Sequence, residues 1–211
     1  MIVDFKELSP VESYHWLTQS VIPRPVAWIL TDNGEEAGEE NRFNLAPFSW
    51  FNVVSPSPAV VMVSIAPKKD GSDKDTLANL KARKHATLHI TSKDMALAMV
   101  DSSVDLPFGK SELTRAAAPE LISIDGFELP MLSGSKVSFD CTLLDTHQIP
   151  GSKVTVAFLK LEKLFADDSV MMTDEKGRDK IDGLAVQPVT RLGGNEVSYL
   201  TEIESIPRPE K

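Results

Sequence analysis

The chain is poor in cysteine, since Cys141 is the only one among its 211 residues. A single cysteine cannot form an internal disulfide, so the fold has to be stabilised by a buried core. In the segment KVSFDCTLL, Cys141 shares one face of a predicted strand with Phe139 and Leu143. We therefore interpret Cys141 as an unreactive core residue.

Long apolar runs are also missing. None approaches the roughly 18 residues that a membrane-spanning helix needs. The segment MIVDFKELSP lacks the basic start and the apolar stretch of a signal peptide, so we expect a cytoplasmic protein. Hydrophobic residues make up 42% and charged residues 25% of the chain, which is a globular composition. We expect one domain over residues 1–211.

Positive charge is scarce, and the net charge is −9. Nucleic acids and anionic membranes are therefore not expected as partners, because both would be repelled at long range. An anionic ligand would have to be bound by a local cluster of donors.

Several cofactor motifs are absent. There is no glycine-rich dinucleotide fingerprint, no Walker loop and no cysteine–histidine cluster with zinc spacing, so we predict no metal site. The histidines, which lie in different predicted elements, are His15, His85, His89 and His147. His85 and His89 alternate with apolar residues, which predicts that both lie on the exposed face of a short strand.

The segments that are present indicate a mainly β fold with short helices, of the α+β class. The predicted strands are RPVAWILT, PAVVMVSIA, ATLHITS, SKVSFDCTLLDTHQI and KVTVAFLKLEKLF. A capping box that starts at Ser9 predicts a helix to about Gln19, and a second helix begins near Asp75. Strands joined by Gly/Pro turns favour a closed barrel over alternating strands and helices.

The segment NLAPFSWFN, from Asn44 to Asn52, combines three large aromatic rings with small hydrogen-bonding side chains. We expect a turn over Asn44–Trp50 that binds a planar heteroaromatic ring, because the polar edge of such a ring needs partners once it leaves water. Plain core packing of the aromatic rings is the alternative.

The segment SDKDTLANL predicts an anion site at a helix start. If Asp75 is the N-cap, its carboxylate accepts N–H groups of its own first turn. The Thr76 hydroxyl, the Lys74 ammonium and the remaining N–H groups are then available to a phosphate. An ordinary capped helix that binds nothing is the alternative. FMN, pyridoxal phosphate and a nucleotide each combine such a phosphate with an aromatic ring.

Several stretches resemble the flavin-reductase-like, FMN-binding split-barrel family. They follow that family's order from about residue 12 to residue 199, and they are IPRPVAWILT, NRFNLAPFSWFNVVSPSPAVVMVS, KKDGSDKDTLANL, FGKSEL, the pair Asp140–Cys141 and PVTRLGGNEVSY. The resemblance implies a six-stranded antiparallel split β-barrel, commonly a homodimer with flavin sites near the interface. It also implies non-covalent FMN or, less expected, FAD, with NADH or NADPH as hydride donor in many members.

Carried onto this chain, the resemblance assigns residues to both ends of FMN. The ring-binding residues would be Asn44, Ala46, Pro47, Phe48, Ser49, Trp50 and Ser64. The phosphate-binding residues would be Lys74, Asp75 and Thr76, with Arg24 as a further phosphate partner. Lys110 would approach the pyrimidine edge of the ring, and His147 would be the one catalytic residue, close to the flavin or nicotinamide.

One departure from the family pattern bears on function. Many flavin reductases have a histidine after the penultimate long strand, where this chain has Phe165. The leading hypothesis is an NAD(P)H-dependent flavin reductase that passes electrons to free flavin or to a protein acceptor. An FMN-binding electron carrier without nicotinamide turnover is the alternative, and a split barrel that binds haem or another phosphorylated aromatic compound is a third.

Overall fold

The computed structural model describes residues 1–115, 117–207 and 209. Its helices are α1 (Pro10–Ser20), α2 (Asp75–Arg83), α3 (Ala96–Asp101) and α4 (Gly183–Val186). Its strands are β1 (Arg24–Pro25), β2 (Ala27–Asp32), β3 (Phe43–Phe48), β4 (Phe51–Pro56), β5 (Ala59–Ile65), β6 (His85–Ile90), β7 (Leu121–Ile122), β8 (Met131–Leu132), β9 (Val137–Gln148), β10 (Thr155–Ala166), β11 (Met171–Thr173), β12 (Asp179–Ile181), β13 (Val189–Arg191) and β14 (Val197–Tyr199).

The main sheet must curl into a barrel because of how its edge strands are connected. Its order is β3-β2-β6-β9-β10-β5-β4, and all neighbours are antiparallel. In a flat sheet, strands β3 and β4 would lie about 29 Å apart. Only Ser49 and Trp50 join them, and the chain from Phe48 to Phe51 spans at most about 11 Å. The two edges therefore meet at Ser49–Trp50, which we call the barrel corner.

The predicted class, mainly β with short helices, is confirmed. The main sheet has seven strands, whereas the resemblance implied a barrel of six. The sheet order alone does not say which of the seven strands belong to the barrel. A smaller sheet, β1-β13-β14, joins the start of the fold to its C-terminal part. Because this sheet joins both parts of the chain, we propose that residues 1–211 form a single domain.

Strand β2 is buried on both faces and separates two hydrophobic clusters. Ala27 and Ile29 face the first cluster, whereas Trp28 and Leu30 face the second. Helix α2 packs Leu77 and Leu80 into the first cluster, together with the fully buried Cys141. This packing fixes where α2 begins relative to the barrel wall, and burial raises the pKa of the Cys141 thiol, which fits its predicted role in the core.

Two local predictions about helices can be compared with the structure. The capping box at the start of α1 is confirmed, because the Ser9 side chain accepts the Glu12 N–H and the Glu12 carboxylate accepts the Ser9 N–H. The prediction that Asp75 caps α2 is wrong. Lys74 is the N-cap and has no side-chain capping bond, while Asp75 is the first helical residue.

The prediction that His89 lies on an exposed face is also wrong. Its side chain is 1% exposed. Nδ1 donates to the Trp28 carbonyl at 2.9 Å, and Nε2 accepts the Leu132 N–H at 3.1 Å. Burial lowers the pKa of His89 to about 4, so the ring is neutral at pH 7. His85, on the same strand, is only half-buried.

No helix in the described part of the chain is both long enough and apolar enough to cross a membrane.

We predict that His89→Leu lowers the free energy of unfolding by roughly 2–5 kcal/mol, because it leaves one buried carbonyl and one buried N–H without partners. Urea denaturation followed by circular dichroism measures the change. The exposed His15 in α1 provides the control, since His15→Leu should change stability by no more than about 0.5 kcal/mol. Equal effects of the two substitutions would contradict the buried role of His89.

Candidate flavin site

A groove runs along strand β3 from the start of α2 to the barrel corner. At the helix end it has a volume of about 520 Å³, and at the corner end it has a volume of about 660 Å³. The two ends share Pro47, Phe48 and Lys74.

The groove collects ten of the twelve residues predicted to bind the cofactor. At the helix end they are Asn44, Ala46, Pro47, Phe48, Lys74, Asp75 and Thr76. At the corner end Ser49, Trp50 and Ser64 join them. The expected turn over Asn44–Trp50 is not present, because Asn44–Phe48 belongs to strand β3 and only Ser49 and Trp50 form the bend.

A buried hydrogen-bond network fixes the helix end of the groove. Asn44 Nδ2 donates to Thr76 Oγ1 at 2.9 Å and to Thr31 Oγ1 at 3.3 Å. Asn79 Nδ2 donates to Thr31 Oγ1 at 3.0 Å and to Asn33 Oδ1 at 2.8 Å. Because Thr76 Oγ1 already accepts a hydrogen from Asn44, its own hydrogen is free to be donated to a ligand.

The start of α2 also brings backbone donors to the groove. The first N–H groups of a helix have no acceptor inside the helix, and here these are the groups of Asp75 and Thr76. Asp75 does not use them, because its carboxylate accepts the Gly109 N–H at 2.9 Å and pairs with Lys68. The exposed Lys74 stands beside these donors.

Glu112 is a buried carboxyl at the same end of the groove. It is 7% exposed and accepts the Leu45 N–H at 2.9 Å. Burial, with the nearby Asp75 as a smaller cause, raises the pKa of Glu112 to about 7. Near neutral pH this carboxyl is therefore divided between its protonated and ionised forms.

The corner end of the groove carries the aromatic surface. The Trp50 carbonyl accepts the Ser64 N–H at 2.8 Å, which anchors the corner to strand β5. The Trp50 ring is parallel to the Tyr14 ring of α1 within 4°, and their centroids are 6.2 Å apart. Pro47 and Phe48 form the floor that both ends share.

The other two predicted cofactor residues lie outside the groove. Arg24 is buried, and its Nη atoms donate to the carbonyls of Thr18, Val21 and Leu192 at 2.8–2.9 Å, so we leave it out of the proposed phosphate set. Lys110 is exposed and does not line the groove. It directly follows Gly109, which bonds Asp75, so it lies near the helix end and not near the expected ring.

His147, the predicted catalytic residue, is exposed on strand β9. It pairs with Val156, which in turn pairs with Ser64. Residues directly opposite each other in antiparallel strands share one face, so His147 and Ser64 face the same way, about 10 Å apart across two strand spacings. His147 does not line the groove within one chain.

Comparison with known proteins assigns the family. The profile described as the flavin reductase like domain matches residues 19–175. The chain belongs to the flavin reductase-like family. An uncharacterized protein of Halalkalibacterium halodurans is 31% identical over 204 residues, which cover 96% of this chain and 93% of that protein.

Two solved structures show the fold of this flavin reductase-like chain. One is nitrilotriacetate monooxygenase component B from Bacillus cereus, with 24% identity, a TM-score of 0.84 and 98% coverage of each chain. The other is a protein with a split barrel domain from Shewanella frigidimarina, with 15% identity, a TM-score of 0.81 and coverage of 99% of this chain and 100% of that one. The expected split-barrel fold is confirmed, and membership of the family supports a flavin-binding oxidoreductase.

Sequence reasoning missed several residues that line the groove of this flavin reductase-like protein. They are Tyr14, Ala66, Lys68, Ser102, Ser103, Val104, Asp105, Leu106, Glu112 and Val154. Lys68 had a local signal, because the polar segment PKKDGS forms a tight turn in which the Lys68 N–H donates to the Ser72 carbonyl. Glu112 lies in the stretch FGKSEL, but its place in the groove could not be predicted, since its contacts to Leu45 and Asp75 are distant in sequence.

We predict that the effect of Glu112→Gln on the free energy of unfolding, compared with wild type, is more stabilising at pH 8 than at pH 5. The folded-state pKa of Glu112 is raised, so its stability contribution is complete below the unfolded value near 4.5 and is lost as the pH rises through about 7. The difference in unfolding free energy, variant minus wild type, should therefore grow by roughly 1–3 kcal/mol from pH 5 to pH 8.

Urea denaturation at both pH values measures this difference, and taking variant minus wild type cancels the opposite pH dependence of the buried His89. Glu175→Gln, at an exposed turn, is the control and should show no such growth. A pH-independent difference for Glu112→Gln would mean that Glu112 is ionised throughout.

Proposed function

We propose that this protein is an FMN-binding oxidoreductase in which a reduced nicotinamide, NADH or NADPH, is the hydride donor, and free flavin or a protein is the acceptor. The observation that supports it is the groove along β3. It joins the start of α2, beside Lys68 and Lys74, to the aromatic barrel corner, where Ser49 and Ser64 add small polar side chains. When bound, FMN would supply the hydride-accepting ring.

The helix end of the groove has the donors that a phosphate monoester requires. The Thr76 hydroxyl and the free N–H groups of the first turn of α2 provide neutral donors, and Lys74 provides positive charge. The charge of Lys68 is largely offset by its ion pair with Asp75. In a chain with a net charge of −9, such a cluster is what an anion needs for binding. FMN ends in a single phosphate monoester that matches these donors, and FAD is the less expected alternative.

The corner end fits the ring. Pro47, Phe48 and Trp50 offer apolar surface, while Ser49 and Ser64 provide small polar groups for the ring edge. The roles of these side chains are to bind, orient and exclude water, because the chemistry of hydride transfer belongs to the cofactor. No side chain in this part of the groove needs to transfer a proton.

The departure at Phe165 has little bearing on this groove. Phe165 pairs with Ser138 at one end of β10, whereas Val156, at the other end, pairs with Ser64. Phe165 lies nine residue steps along the strand from Val156, or about 30 Å. The leading proposal therefore remains the reductase and not the electron carrier.

We also propose the homodimer that the resemblance implies. Apolar side chains are exposed on α1 and on the edge strand β4, among them Val11 and Val53, at 78% and 72%. Both elements flank the barrel corner, so a partner there would lie next to the ring end of the groove. A nearby second chain is also the setting in which His147 would take part.

We predict that the purified protein, reconstituted with FMN, loses its yellow absorbance when NADH or NADPH is added without oxygen, because the groove leaves the ring open to a donor. Stopped-flow absorbance measures the rate. A matched sample reduced by dithionite shows that the flavin is reducible. Reduction by dithionite but by neither nicotinamide would remove the reductase proposal and favour the electron carrier.

We predict that the double substitution Lys74→Ala and Thr76→Ala weakens FMN binding by roughly 1–3 kcal/mol, through loss of charge-assisted phosphate contacts. Riboflavin, which lacks the phosphate, should bind both forms equally. Equilibrium dialysis gives the affinities. The exposed Lys176 lies in the turn between β11 and β12, and Lys176→Ala serves as the control. Wild-type FMN affinity in the double variant would refute this phosphate site.

A further inference from the structure

A second cavity borders the corner end of the groove at Trp50. It has a volume of about 680 Å³ and is lined by α1, β1, β4 and β5. Its wall is mainly apolar and includes Leu17, Phe51 and Met62, and Arg24 stands in that wall. The cavity shares Ser49, Trp50 and Ser64 with the groove.

Arg24 has an incompletely compensated charge. Among residues 1–115, 117–207 and 209, it forms no ion pair. Three of its five N–H donors bond backbone carbonyls, and its Nε is buried without a hydrogen-bond partner. The carbonyls at the C-terminal end of α1 offset only part of a full positive charge.

A second arginine adds to the positive potential. Arg191 is paired directly with Arg24 across β1 and β13, and it also forms no ion pair within the described ranges. Burial is the main cause that lowers the pKa of Arg24; Tyr14 acts in the opposite direction, and the nearby Arg191 adds a smaller lowering. Arg191 does not itself line the cavity, and its Nη2 donates to the Gly194 carbonyl at 2.6 Å. The cost that a bound anion would relieve is that of the buried Arg24 guanidinium, which has no carboxylate partner.

We propose that this cavity binds a small apolar monocarboxylate, with its carboxylate at the Arg24 end and its ring or chain against Phe51 and Met62. The apolar wall disfavours a polyphosphate, and the charge favours an acid over a neutral ring. The cavity borders the groove, so such a ligand would be placed beside the flavin ring. That last consequence rests on the proposed function, whereas the binding itself does not.

The test uses the full chain without flavin, so its outcome is separate from that of the flavin proposal. Isothermal titration calorimetry compares benzoate with benzamide, its uncharged counterpart of the same shape. We expect benzoate to bind at least about tenfold more tightly than benzamide, a difference of about 1.4 kcal/mol. Equal affinities, or no binding of either compound, would overturn the proposal, and no binding is also the result expected if a second copy of the chain fills the cavity.

Two variants locate the site. Arg24→Gln should reduce the preference for benzoate to less than about twofold, whereas Arg178→Gln, an equal charge change at an exposed site, should leave it intact. Since Arg24→Gln can loosen α1, Met62→Trp provides a second variant that fills the cavity and keeps the arginine. It should abolish benzoate binding, and wild-type binding in a folded Met62→Trp protein would overturn the proposal.

Discussion

The candidate site depends on one buried hydrogen bond, between Asn44 of strand β3 and Thr76 of helix α2. It joins the barrel wall to a helix start that comes 32 residues later in the chain. The bond sets the position of the Thr76 hydroxyl and leaves its hydrogen available, while Asn79 and Thr31 continue the network on its inner side. If this link were lost, the packing of Leu77 and Leu80 would still hold α2 against the barrel wall, but the Thr76 hydroxyl would no longer be fixed in its orientation at the groove.

Charge placement explains how an acidic protein can hold an anionic cofactor. Lys68 is kept at the groove by Asp75, and Asp75 is in turn bonded by the Gly109 N–H. Glu112 lies on the other side, with its pKa raised to about 7. Because Asp75 offsets the charge of Lys68, attraction for a phosphate comes mainly from Lys74 and the donors at the start of α2, and Asp105 and ionised Glu112 oppose it. The buried guanidinium of Arg24 adds a second, separate positive region beyond Trp50.

Local patterns predicted the parts of the molecule that local contacts determine. The capping box at Ser9 and the helix from Asp75 are set by neighbours in sequence, and the burial of Cys141 follows from strand alternation. The unusual composition of the segment from Asn44 to Trp50 singles it out in the sequence, and in the structure most of its residues line the groove. Its form as an edge strand with a two-residue bend follows from the order of the whole sheet.

Contacts between distant residues account for what the sequence did not reveal. Glu112 is placed by the Leu45 N–H, 67 residues away, and Asp75 is turned away from its own helix by Gly109, 34 residues away. His89 is buried because Trp28 and Leu132 supply one partner for each ring nitrogen, and alternation alone cannot tell a bonded interior histidine from an exposed one.

A crystal structure of the protein grown with FMN tests the central claim most directly. The account predicts that the flavin ring lies against Pro47, Phe48 and Trp50, and that the phosphate is within hydrogen-bond distance of the Thr76 hydroxyl and the first N–H groups of α2. A groove filled by the protein's own side chains, or a flavin bound elsewhere on the chain, would contradict it.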